Sequence, residues 1–109
     1  MGESWKSRGT FLVLLALKDG AKHGYEIAGH LTLRTQGVFS ISFGALYPIL
    51  HRLEKDGLVS ARWEAVGASG AKQRKVYALT AKGKKALTAE RASFEALTGA
   101  FARLLGDGG

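Results

Sequence analysis

Ser42-Phe43-Gly44-Ala45-Leu46-Tyr47-Pro48-Ile49-Leu50-His51-Arg52-Leu53-Glu54-Lys55-Asp56-Gly57 is the stretch on which the fold turns. Leu46, Ile49, Leu50 and Leu53 recur at helical spacing, Ser42 is an N-cap candidate and Gly57 a C-terminal stop. Advancing about 100° per residue gathers the four aliphatics into one stripe and puts Gly44, Pro48, His51 and Lys55 opposite, flanked by Ala45, Tyr47 and Arg52. The outer face is therefore small at its N-terminal end and basic toward its C-terminal end. A helix N-terminus presents free N–H groups and a partial positive charge, and small residues there allow close approach to an anionic groove. Pro48 removes the N–H that Gly44 would bond, so an irregular first turn is expected. An ordinary core helix with a basic solvated face is the competing reading of this stretch alone.

Working outward, Val38-Phe39-Ser40-Ile41 reads as a brief extended lead-in. Tyr25 to Arg34 reads as a short amphipathic helix on Ile27, Ala28 and Leu31. Two short helices joined by a small turn, the second with an open N-terminus, fit a helix-turn-helix. Asp19 to Gly24 is turn-like. From Arg8 to Lys18 the pattern is apolar around its whole circumference, and its length favours a helix over a strand. Such a helix needs cover on both sides. Residues 1–7 read as a flexible arm in which only Trp5 can anchor.

After Gly57, Val59, Ala61 and Trp63 alternate with Ser60, Arg62 and Glu64, and alternation resumes from Arg74 to Leu79. With Gly67-Ala68-Ser69-Gly70 between them, these runs form a β-hairpin with a long tip. Lys72, Arg74 and Lys75 stand beside that tip. Between Ala65 and Ala89 there are six Lys or Arg residues and no acid, which marks the seat of the net charge. A solubilising run is the plain reading; a grip on phosphates is the sharper one.

Thr80 caps a last helix running to about Leu105, with Leu87, Phe94 and Phe101 seven residues apart and Leu97 and Leu104 interleaved, each three residues after a phenylalanine. A symmetric dimer in which this seam and the first helix exchange cover, through Phe11, Leu14, Leu15, Leu87, Phe94, Leu97, Phe101 and Leu104, satisfies both apolar helices; intramolecular cover is the alternative. The final residues, 106–109, are expected to fray.

The chain has 109 residues, a formal net charge of +7 and 46% hydrophobic residues, so it is one globular unit with a bias toward an anionic partner, nucleic acid first. It has no cysteine, which excludes disulfides and thiolate metal sites. Phe11 to Leu17 is too short to span a bilayer, no signal peptide is evident, and a cytoplasmic protein without membrane association is expected. His23, His30 and His51 lack metal-ligand spacing. No nucleophile–base constellation is present, and Gly67 to Lys72 lacks the ending of a phosphate loop. Neither catalysis, nor a cofactor, nor a metal is expected.

Three blocks now come together: Gly24-Tyr25-Glu26-Ile27, then Leu46 through Leu58, then Arg74-Lys75-Val76-Tyr77-Ala78-Leu79-Thr80-Ala81-Lys82-Gly83. In order and spacing they resemble the successive signatures of PadR-type transcriptional regulators, in the short form. The resemblance implies an α+β, mostly helical fold: a winged helix-turn-helix over residues 8–79 with a C-terminal dimerisation helix over 80–109. It also implies homodimeric repression from palindromic double-stranded operator DNA, relieved by a small molecule or stress signal. On that analogy Ser42, Gly44, Ala45, Tyr47, Pro48 and His51 enter or border the major groove, Tyr25 approaches a phosphate, and Lys72, Arg74 and Lys75 make the wing contact. Ala71 and Lys72 replace the family's usual glycine and arginine, and a lysine lacks the fork for bidentate base readout. Phe11, Leu15 and Phe94 read either as interface packing or as the lining of an apolar effector pocket, packing being the simpler. A winged-helix interaction protein without operator binding is the alternative function.

Overall fold

A computed structural model describes residues 2–106, with side chains from Arg8 onward. Its elements are α1 (Gly2–Ala16), β1 (Lys22–His23), α2 (Gly24–Arg34), α3 (Phe43–Lys55), β2 (Val59–Val66), β3 (Lys72–Leu79) and α4 (Ala81–Leu105). The three strands form one antiparallel sheet in the order β1-β3-β2.

The core sits where α1, α2 and α3 meet the sheet and the first turns of α4. Val13, Leu14 and Ala16 of α1 and Leu17 just after it pack with Ile27, Leu31, Leu46, Leu50 and Leu53, closed off by Val59, Tyr77 and Leu87. Helix α1 is thus covered on its inner side by its own chain, while Phe11, Leu12 and Leu15 are only partly buried. Among the described residues, no buried side-chain nitrogen or oxygen lacks a hydrogen-bond partner.

Several sequence expectations need correction. Residues 2–7 are helical rather than an arm, because extending a helix already nucleated by Gly9 to Ala16 costs little per residue; the anchoring expected of Trp5 concerns a side chain outside the described residues, as does the fraying of 107–109. The turn at Asp19 to Gly24 contains a two-residue strand, with Lys22 paired to Tyr77 and His23 to Val76. Residues 38–41 form bends and coil rather than an extended lead-in. Here the Thr35 hydroxyl organises the chain, donating to the Leu31 carbonyl at 2.6 Å and accepting from the Phe39 N–H at 3.0 Å. Lys72 and Gln73 belong to β3, so the hairpin tip is shorter than expected.

Pro48 leaves α3 unbroken. Gly44 lies on the exposed side of the helix, where water can satisfy the carbonyl that proline leaves free. Ser42 caps the helix as expected, its hydroxyl accepting from the Ala45 N–H at 3.2 Å. At the other end Gly57 takes φ +76°, the left-handed conformation glycine supplies at a helix C-terminus.

The start of α4 is fastened to that same turn. The Thr80 hydroxyl donates to the Gly57 carbonyl at 2.6 Å, the Thr80 N–H to the Leu58 carbonyl at 3.1 Å, and the Lys82 ammonium to the Asp56 carbonyl at 2.9 Å. The Thr80 hydroxyl also accepts from the Gly83 N–H at 3.0 Å, which caps α4. Beyond Leu87 the helix is only partly covered by its own chain, and Phe94 is already 46% exposed and Leu104 84% exposed.

Candidate nucleic-acid interface

Helix α2 begins with a capping box: the Glu26 N–H donates to His23 Nδ1 at 3.3 Å and the His23 N–H to the Glu26 carboxylate at 3.0 Å. This box satisfies two N–H groups at the start of α2. Gly24, the first residue of α2, is buried beneath the Tyr47 ring. Tyr25, Phe43 and Tyr47 then form an aromatic ladder, with ring centroids 4.9 Å and 6.0 Å apart. Two helices held at both the core and this outer ladder keep a fixed mutual angle, which a groove-reading module needs.

The outer face of α3 emerges as the sequence anticipates. Gly44, Ala45, Tyr47, Pro48 and His51 are all exposed, as is Ser42 at the cap. Tyr25 stands beside them, 73% exposed. Phe43 escaped the sequence reading because its position outside the aliphatic stripe gave it no role; its ring supports the two tyrosines.

The wing divides its cations between two faces. Lys75 lies opposite Trp63 and Arg74 opposite Glu64 in the β2–β3 register, and side chains alternate across a sheet. On one face Glu64 joins Arg74, at 3.3 Å, and Arg62, at 3.4 Å. The Arg74 hydrogen bond, followed by that of Arg62, draws the Glu64 carboxyl below its ordinary pKa. On the other face the Lys75 ammonium reaches the Glu54 carboxylate of α3 at 3.3 Å and lies 5.9 Å from the Trp63 ring centre and 5.8 Å from that of Tyr77. Burial raises the Tyr77 hydroxyl pKa. So Lys72 and Arg74 remain at the wing surface, and Lys75 turns inward toward α3. Trp63, Arg62 and Glu64 were visible in the sequence only as members of an alternating strand; their pairing needs the register.

Between wing and helices lies a cleft of about 570 Å³ lined by Tyr25, Tyr47, Trp63, Gln73, Lys75 and Tyr77 among others. A separate groove of about 340 Å³ runs between α1 and α4, and there Phe11, Leu15 and Phe94 do come together, with Leu97 and Phe101 beside them. The Phe11 and Phe94 rings lie 5.4 Å apart. Leu14 and Leu87, grouped by sequence with the interface residues, are instead 2% and 6% exposed within the single chain. Each lies on the inward side of its helix, where periodicity cannot distinguish own-chain from partner cover. Among the described residues, no group of three or more His, Asp or Glu side chains could hold a metal ion, and no helix is long and apolar enough to cross a membrane.

A capped helix pair with an open second helix, flanked by a cationic hairpin and followed by a long helix, defines a winged helix-turn-helix regulator. The chain belongs to the PadR-like family of transcriptional regulators, whose family model matches residues 13–89. It is 42% identical over 79 residues to the transcriptional regulator Rv3488 of Mycobacterium tuberculosis, covering 72% of this chain and 68% of that one. A PadR-like transcriptional regulator from Bacillus cereus superposes with a TM-score of 0.79 at 25% identity, over 96% of this chain and 98% of that one. The PadR protein of Bacillus subtilis in complex with operator DNA superposes with a TM-score of 0.66 at 26% identity, over 72% of this chain and 44% of that one. These relatives are regulators and not enzymes.

Proposed function

We propose that the chain is a homodimeric repressor that binds a palindromic operator in double-stranded DNA, with α3 as the recognition helix and Lys72 and Arg74 as wing contacts to the backbone. The observation that carries this reading is the adjacency of two surfaces. Tyr25 and Tyr47 line one cleft with Gln73, Arg74 and Lys75 of the wing, so the exposed outer face of α3 adjoins the exposed wing cations. The operator complex of the Bacillus subtilis relative supports it. Tyr25, Tyr47, Pro48 and His51 border the groove in this reading.

Dimerisation is proposed through Phe94, Leu97, Phe101 and Leu104 of α4, with Phe11 and Leu15 of α1, all of which are incompletely covered by their own chain. The groove they line supports an apolar small molecule as the signal that relieves repression. Such a regulator works in the cytoplasm, where its operator lies.

Gel shifts on duplexes spanning the gene's own promoter region test this. Retardation that weakens steeply with salt, on a site with half-sites about 34–36 Å apart, is expected. If no duplex is retarded even at low salt, the operator reading falls, leaving the winged helix as an interaction module.

A further inference from the structure

Lys75 is one of three cations beside the wing tip, yet its surroundings differ from those of Lys72 and Arg74. Its ammonium pairs with Glu54, a residue 21 positions away on α3, and both side chains are only about one-third exposed, at 36% and 37%. Trp63 lies directly across the ladder from Lys75, and Tyr77 follows two residues on along the same face. Both rings approach its ammonium at under 6 Å. A lysine held by a carboxylate and flanked by two π-faces has little freedom to reach outward. Glu54, for its part, sits in the last turn of α3, downstream of the residues that face the groove in the proposed complex.

Resting on the reading of α3 and the wing as a DNA-binding pair, we infer that Glu54 and Lys75 form a latch that fixes the wing against the recognition helix. Lys75 then acts on DNA as a positioning residue through α3, not as a phosphate contact. Residues 67–74 at the outer end of the hairpin are all exposed, whereas Lys75 reaches α3. The ion pair ties the wing to α3 in addition to the strand ladder at its base. The latch therefore sets the distance between the Lys72 and Arg74 cations and the α3 N-terminus, which is the span the duplex backbone must match.

A phosphate contact and a latch give opposite results for Glu54. Removing a negative charge beside a polyanion strengthens binding if charge alone matters. The latch requires that Glu54→Gln weaken binding, by about two- to fivefold, the range of a half-exposed ion pair. Lys75→Met keeps the aliphatic stem and drops the charge. It should weaken binding by a similar factor while leaving the slope of log affinity against log salt unchanged, whereas loss of a phosphate contact lowers that slope by about 0.9. The exchanged pair, Glu54→Lys with Lys75→Glu, should bind more tightly than either single exchange.

Trp63 reports on the latch without DNA. The chain has two tryptophans, so in a Trp5→Phe background emission comes from Trp63 alone, and Glu54→Gln should shift it as Lys75 leaves the ring. Tighter or unchanged binding by Glu54→Gln, a salt slope lowered by Lys75→Met, an exchanged pair no better than its singles, or an unmoved Trp63 emission would each overturn the latch. If the wild-type chain binds no duplex, the functional reading fails on that count, and the emission measurement still decides whether the latch exists.

Discussion

The Tyr47 ring occupies the space that a side chain on Gly24 would need: a Cβ built at Gly24 would meet the Tyr47 hydroxyl and lie 2.9 Å from its Cζ. Helix α3 thus leans its aromatic residue on the bare backbone at the start of α2. Gly24→Ala should cost about 1–3 kcal/mol in urea denaturation, as overpacking does. Gly24→Ala combined with Tyr47→Phe should cost less than the sum of the two, because Phe removes the atom in closest conflict.

Gly83 makes the same kind of contact against backbone instead of a side chain. A Cβ there would strike the Leu58 carbonyl, with the carbonyl carbon only 3.0 Å away. Since that carbonyl also accepts from the Thr80 N–H, it cannot yield cheaply. Gly83→Ala should therefore destabilise more than Gly24→Ala in the same titration. Gly29, helical and with nothing within 4 Å of its built Cβ, provides the opposite sign: Gly29→Ala should stabilise by about 0.5–1 kcal/mol.

Lys72 and Arg74 carry the wing contact in the proposed complex. Replacing both by Ala should lower the slope of log affinity against log salt by up to about 1.8, at about 0.9 per phosphate. The thermal midpoint should change little, because Lys72 and Arg74 are both exposed and surface ion pairs contribute little to stability.

Association and folding should separate cleanly along α4. Leu97→Glu with Phe101→Glu places charges on residues exposed in the single chain, 52% and 55% respectively. Light scattering should report a monomer, and circular dichroism should show a retained fold. Leu87→Ala, seven residues or two turns before Phe94, removes a core side chain and should cost about 2–5 kcal/mol.

His30 gives the fold a mild acid sensitivity. Burial, aided by the nearby Lys22 and Arg34 charges, lowers its pKa from the ordinary 6.5. The unfolded chain therefore binds more protons just below that value, and stability falls as pH drops from 6.5 through the folded pKa. Melts between pH 5 and 7.5 should show a slope that His30→Gln reduces.

The helix-turn-helix was legible because its signals are local. Ser42 and Gly57 bracket α3 by cap chemistry, and Leu46, Leu50 and Leu53 mark its buried side by period. Strand β1 was not legible, since two residues, Lys22 and His23, have no period to read. Leu14 and Leu87 show the limit of apolar patterning: it reports that a residue is covered and not by which chain. Along β3, alternation already separates Lys75 from Arg74, but that Lys75 meets Glu54 depends on how the hairpin packs across 21 residues of intervening chain. The site residues of α3 were therefore within reach of sequence, whereas the division of labour among the wing cations required the fold.

Because α4 is fastened at Thr80 and Lys82 to the turn that ends α3, the long helix starts from the foot of α3. Its 25 residues extend about 37 Å at about 1.5 Å per residue. Phe94, Leu97 and Phe101 therefore stand on the same continuous rod that is fastened at its foot to the end of α3.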